Sequence, residues 1–229
     1  MEEDPYAQGS PCIGAINQTG QTLENSIMRK EIILASTSPR RHEAARAMGL
    51  EFKIVPSAYE EETDLKKSPE ELVMYLAHGK AADVAKRHKK GIVIGVDTIV
   101  VFNGKILGKP RDEEDAFNML KSFSGKTQDV YSGVCLIDCE TGKTIKDYEI
   151  TKVKFRKVDD SEIRKYVGTG EALDKAGAYG IQDLSSIFIE GVEGCYFNVT
   201  GFPVYNIYKN LRKLGVDIFQ YERWKNHKK

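Results

Sequence analysis

GIVIGVDTIVVFNGKILGKP occupies residues 91–110. Its first half is a nearly continuous β-branched run, the pattern of a strand covered on both faces. That half ends at Asp97. Asn103-Gly104 then falls between two apolar runs, the strongest short signal for a hairpin, so strands flank it and Gly108-Lys109-Pro110 closes the unit.

Upstream, Glu31–Ala35 is predicted as a short buried strand. Pro39–Met48 is predicted as a helix, with Ser38 as cap, Pro39 at its first position and Gly49 beyond its end. EFKIVPS (51–57) gives a second strand, followed by an acidic loop, YEEETDLKK (59–67). A long helix over Pro69–His88 starts at a capping box formed by Ser68 and Glu71. Downstream come a helix over Asp112–Phe123 and two long strands, around TQDVYSGVCLID (127–138) and IKDYEITKVKFRKV (145–158), joined through Thr141-Gly142. Asp160–Val167 is predicted as helix. Then follow an ordered glycine-rich loop, GTGEALDKAGAYGIQD (168–183), a hairpin around Glu190-Gly191 and a last helix over Pro203–Leu214. Helices alternate with strands early and strands dominate the middle. The expected fold is α/β: a two-lobed, mixed and curved sheet flanked by helices, with a central cleft. Residues 1–29 are polar and aperiodic and read as a flexible leader, 30–218 as the domain, and 219–229 as a C-terminal tail.

Composition narrows the function classes. The 34 basic and 34 acidic residues cancel, so no overall field draws the chain to nucleic acid or an anionic membrane, and any anion must be held by a local site. No apolar run reaches membrane-helix length and no secretory signal opens the chain, which points to the cytoplasm. Four cysteines without a CxxC pair, far in sequence from four histidines, argue against zinc.

Five places hold candidate chemistry. In LASTSPRR (34–41), two arginines stand where a helix begins, the end at which positive charge is disfavoured by roughly 0.3–1 kcal/mol each. A bound phosphate would resolve the conflict, gathering Arg40, Arg41, the Ser36 and Ser38 hydroxyls and the free helix N–H groups; otherwise the arginines splay into water. Asp97, read as the carboxyl end of a buried strand, is a metal ligand, a general base or a turn cap. Lys109 is a phosphate counter-charge or an ordinary surface lysine. Asp174, Lys175 and Gln182 lie among small residues that let a ligand approach the backbone. Glu60-Glu61-Glu62 is a solvated face or a metal-handling loop. Familiar nucleotide signatures fail: Gly125-Lys126-Thr127 ends like a Walker A loop, but Leu120 stands at its first glycine.

LASTSPRR, the glutamates before the long helix, LAHGKA (76–81), GVDTIVVFNGKILGKP (95–110), LDKAGAYGIQ (173–182) and VTGFPV (199–204) together resemble the Maf family of nucleoside triphosphate pyrophosphatases. The match runs in order across residues 30 to 215. The resemblance implies a two-lobed α/β fold, a homodimer, a divalent cation (Mg2+ or Mn2+), and cleavage of a nucleotide into monophosphate and pyrophosphate. By position it makes Asp97 the proton acceptor and places Ser36, Arg41, Glu61, Lys80, Lys109 and Lys175 on phosphate- or metal-handling motifs, with Asp97 and Glu61 at the metal. Arg40, Thr98 and Gln182 fall at the positions that separate a dTTP/UTP branch from a 7-methyl-GTP branch, and all three match the first. A glutamine amide can both donate to and accept from a pyrimidine imide edge. The competing readings are a nucleotide-binding regulator of cell division with little turnover, and a 7-methyl-GTP pyrophosphatase or a broad pyrophosphatase for modified pyrimidine nucleotides.

Overall fold

The structure, a computed structural model, describes residues 29–60 and 66–221. The leader through residue 28 and residues 222–229 of the tail lie outside it, and so does Glu61. A seven-stranded mixed sheet runs in the order β2-β1-β3-β5-β6-β7, with β4 paired to β3. β1 (Ile32–Leu34) lies parallel to both β2 (Phe52–Ile54) and β3 (Ile92–Phe102). β5 (Thr127–Asp138), β6 (Thr144–Phe155) and β7 (Ile189–Glu193) continue antiparallel from β3. The turn from β3 into β4 (Lys105–Leu107) has positive φ at Asn103 and Gly104, as a two-residue hairpin requires. Glu190-Gly191 is not a hairpin: both residues lie within β7, at an irregular register with β6.

Alternation along β3 assigns its side chains to two faces. Val93, Ile99 and Val101 face α2 (Pro69–Ala85), which the predicted capping box starts: Ser68 accepts from Glu71 N–H while Glu71 accepts from Ser68 N–H. α2 comes unusually close because two strand residues have no side chain. A Cβ on Gly95 would overlap the Ala77 carbonyl oxygen, and one on Gly133 the Val73 carbonyl oxygen. On the opposite face, Ile94 and Val96 pack with α1 (Pro39–Ala47) and α6 (Val204–Lys213) through Ala44, Ile207 and Leu211.

Further along that same face, Val100 and Phe102 enter a second core with α3 (Glu113–Phe123) and α4 (Asp160–Val167). Phe123 anchors it edge-on to Phe102 at 5.1 Å, and Phe155 to Tyr179 at 5.0 Å. Each such ring contributes about 1.5–3 kcal/mol by burial. The two lobes are therefore two cores on one face of a single sheet, and Thr98 lies between them. The glycine-rich segment is ordered as expected, with 3-10 turns at Ala176–Ala178 and Leu184–Phe188.

Candidate active site

The cleft opens at a notch in the sheet. Along one edge, β1 pairs with β3 only as far as Ile94, and β4 takes up pairing again at Val100. Between them, Gly95–Ile99 have no strand partner on that edge among the described residues, while β5 covers the other edge throughout. Asp97 therefore lies in the middle of β3 and not at a strand end, as the sequence suggested. It reaches the cleft because its neighbour β1 is short. The cavity at this notch measures about 850 Å³ and takes residues from both sheet faces, among them Lys80, Asp97, Thr98 and Arg41.

Asp97 is 6% exposed, and its cross-strand partner is Gly133. Because Gly95 and Gly133 admit α2 closely, Lys80 on that helix donates to Asp97 Oδ1 at 2.6 Å. Tyr59 reinforces the placement: its ring fills the space that a Cβ on Gly79 would need. Asp83, another α2 residue, accepts from Ser57 Oγ and Ala58 N–H and so ties down the chain leading to the acidic loop. Those bonds, the backbone one foremost, hold its carboxyl below the usual range.

On the opposite face, the Arg41 guanidinium is fixed in three directions. Nε donates to the Gly201 carbonyl at 2.9 Å, Nη1 to Ser36 Oγ at 3.3 Å and Nη2 to Thr98 Oγ1 at 3.3 Å. Thr98 in turn shares a 2.8 Å hydrogen bond with Ser132, its cross-strand neighbour on β5. Gly201 is held by Asn198, which lies in the short helix α5 (Tyr196–Val199) and donates to the Val130 carbonyl and Thr151 Oγ1. Ser38 makes no side-chain cap at α1; Ser36 Oγ instead accepts from Ser38 N–H.

Arg40, one residue away, points to the other end of the cleft. Its guanidinium stands 3.9 Å from Asp174 and 3.7 Å from Asp183. Lys175, nearly buried, donates to Asp174 at 2.7 Å and to the Glu171 carbonyl. Burial alone would lower the Lys175 pKa, but Asp174 and Asp183 outweigh it and raise the value. Asp174 shows the mirror effect, burial raising its carboxyl while Lys175 and Arg40 together bring it below the usual range. Gln182 and Lys109 also line the cleft, Lys109 exposed just after β4.

Every described residue that the resemblance placed at the site thus belongs to one cleft or is bonded to a residue that lines it; Glu61 and Glu62 fall outside the described residues, and Glu60 is exposed and does not line the cleft. Ser132, Asn198, Gly201 and Asp183 were not singled out from sequence, although Gly201 sits inside the VTGFPV block. No group of three or more potential metal-ligating His, Cys, Asp or Glu side chains occurs among the described residues. No described helix is long and apolar enough to cross a membrane.

A family model described as Maf-like protein matches residues 31–214. A dTTP/UTP pyrophosphatase of Clostridium botulinum (strain Okra) is 46% identical over 193 residues, covering 82% of this chain and all of the relative. The protein of the same name from Clostridium perfringens (strain SM101) is 47% identical over 190 residues, 82% of this chain and 99% of its own. One from Syntrophomonas wolfei is 43% identical over 189 residues, 82% of this chain and all of its own. With the family model spanning both cores and the notch between them, this chain belongs to the Maf family.

Proposed function

We propose that the chain is a nucleoside triphosphate pyrophosphatase that hydrolyses dTTP and UTP to the monophosphate and pyrophosphate. The observation that carries this reading is the Lys80–Asp97 pair at the notch of a cleft that Arg41 and Lys109 also line, while Asp174 and Asp183 offset Arg40 and Lys175 at its other end. The notch end of the cleft suits a polyanion beside the single carboxylate of Asp97. The relatives' name supplies the substrate.

Asp97 orients a water molecule and takes its proton as the water oxygen bonds to the α-phosphorus. The bond from that phosphorus to the oxygen bridging it to the β-phosphate breaks, and the electron pair leaves with pyrophosphate. Lys80 holds the Asp97 carboxylate in place by its 2.6 Å hydrogen bond. Arg41, pre-set by Gly201, Ser36 and Thr98, and Lys109 stabilise the charge that builds on the leaving group.

One carboxylate beside a phosphate path fits Mg2+ or Mn2+, since Mg2+ commonly takes one or two carboxylates and completes its shell with water and phosphate oxygens. Asp97 would hold the ion, with Glu61 assisting, and the ion would neutralise phosphate charge. Gln182 reads the imide edge of the base, and Arg40 and Thr98 help to set the base preference. Lys175, already engaged by Glu171 and Asp174, serves chiefly to hold the rim on which Gln182 stands. The reaction belongs to the cytoplasm, and the working form is a homodimer.

The test is pyrophosphate release from a panel of nucleoside triphosphates with Mg2+. Release from dTTP and UTP above all others is expected. Preference for 7-methyl-GTP, or release from none, would support the competing readings instead.

A further inference from the structure

Asp183 follows Gln182 on the cleft rim, and its position is unusual for a carboxylate. Its Oδ2 atom is shut off from solvent and accepts no hydrogen bond. The same atom lies 3.4 Å from Lys175 Nζ and 3.7 Å from Arg40 Nη1, so what compensates its burial is the attraction of two cations at ion-pair distance. The seat depends on glycine: a Cβ on Gly180 would overlap Asp183 Oδ2 and come within 3.2 Å of Lys175 Cε. Ser185 pins that glycine by accepting from its N–H at 3.0 Å and donating to its carbonyl at 3.1 Å.

Asp174 brings a second carboxylate to the same two cations. Arg40 and Lys175 against Asp174 and Asp183 form a cluster in which the charges cancel. It also joins the two cores. Arg40 starts α1, which packs with β1 and α6, whereas Ala172, Ala178 and Tyr179 of the rim segment pack with α3 and α4. The neutral cluster stands beside Gln182, while Asp97, Lys80, Arg41 and Thr98 lie at the notch. An uncharged heterocycle suits the balanced end with its amide, and the triphosphate suits the other.

We propose that Asp183 is a positioning residue for nucleobase choice: seated over Gly180, its carboxylate fixes the Arg40 guanidinium beside Gln182, so the base end of the cleft is set by an acidic residue that need not touch the nucleotide. This rests on the reading of the cleft as a nucleoside triphosphate site. It also accounts for an arginine at a helix start, since the two carboxylates offset the charge that the helix dipole disfavours.

The experiment is a double-mutant cycle read by binding. Affinities of non-hydrolysable α,β-methylene UTP and α,β-methylene GTP are measured by titration calorimetry with Mg2+ for wild type, Asp183→Asn, Arg40→Ala and the double variant. Gly180→Ala serves as an independent way to unseat the carboxylate. Asp183→Asn and Gly180→Ala are each expected to lower the UTP-over-GTP preference about fivefold, with Asp183→Asn adding nothing once Arg40 is alanine. In turnover the same loss appears in KM rather than kcat. An unchanged preference, no binding of UTP by the wild type, or an undiminished effect of Asp183→Asn in the Arg40→Ala background overturns the proposal. Binding that follows the expected cycle in a protein that releases no pyrophosphate would overturn the enzymatic reading and leave the role of Asp183 standing.

Discussion

Asp97 on β3 faces Gly133 across the sheet, and the missing side chain at Gly133 lets α2 bring Lys80 to within 2.6 Å of the Asp97 carboxylate. The proposed catalytic pair is thus positioned by a residue that has nothing to react with. Gly133→Ala must push a Cβ into the Val73 carbonyl, and Gly95→Ala one into the Ala77 carbonyl. Either is expected to destabilise the fold by about 1–3 kcal/mol and to cut kcat by moving Lys80 off Asp97. Gly191→Ala, with open space around it, should do neither. Urea midpoints and turnover on UTP for the three variants check this together.

Lys80→Met leaves Asp97 buried without its ammonium partner. Breaking a fully buried pair costs about 3 kcal/mol, and with Lys80 half-buried at the cleft the loss should be smaller, so the variant should melt earlier, and Lys80→Met/Asp97→Asn should recover part of the lost stability without recovering activity. Thermal melts of the single and double variants measure it.

The adjacent arginines should behave differently. Arg41 is bonded to Gly201, Ser36 and Thr98, and Arg41→Ala should lower kcat/KM for every nucleotide by roughly 10- to 100-fold, the worth of one charge-assisted hydrogen bond. Arg40→Trp should change which nucleotide is preferred. Equal losses in both variants on all substrates would contradict the division of the cleft into two ends.

Alkaline stability carries its own signature. Burial pushes the Cys135 thiol up to about 12, Lys146 pulling weakly the other way. A raised folded-state pKa favours the folded protein below the unfolded value near 9, and that contribution disappears as pH rises from about 9 to about 12. The unfolded chain then releases a proton that the folded chain retains, so stability should fall by ~1.4 kcal/mol per pH unit from this thiol. Buried Tyr166, Tyr179 and Tyr221, all raised chiefly by burial, add to the fall at higher pH. Cys135→Ala should make the decline between pH 9 and 10 visibly shallower in urea unfolding.

Much of the fold was legible because its signals are local. The capping box at Ser68, the Asn103-Gly104 turn and the helix over Asp160–Val167 each follow from a few neighbouring residues, and the structure keeps them. The placement of Asp97 was misread for the opposite reason. The notch that gives it access to the cleft is made by β1 ending at Leu34 and by β4 pairing with β3 only from Val100 onward, a consequence of pairing between distant segments. Ser132 bonds Thr98 only through strand register, and Asn198 supports Gly201 only because α5 folds over β5 and β6. Glu190-Gly191 carried a turn dipeptide but lay inside a strand, since pairing with β6 overrode local preference. Asp183 gave no sequence signal at all, as its role depends on Gly180 beneath it and Arg40 on another element.

The central claim is that Asp97 takes the proton from the attacking water in a dTTP/UTP pyrophosphatase. Pyrophosphate release from UTP and dTTP by wild type and Asp97→Asn, compared at equal folded fraction, tests it directly. Wild-type release with a loss of roughly 100-fold or more in kcat for Asp97→Asn is the expected result. Full turnover by Asp97→Asn would contradict the account.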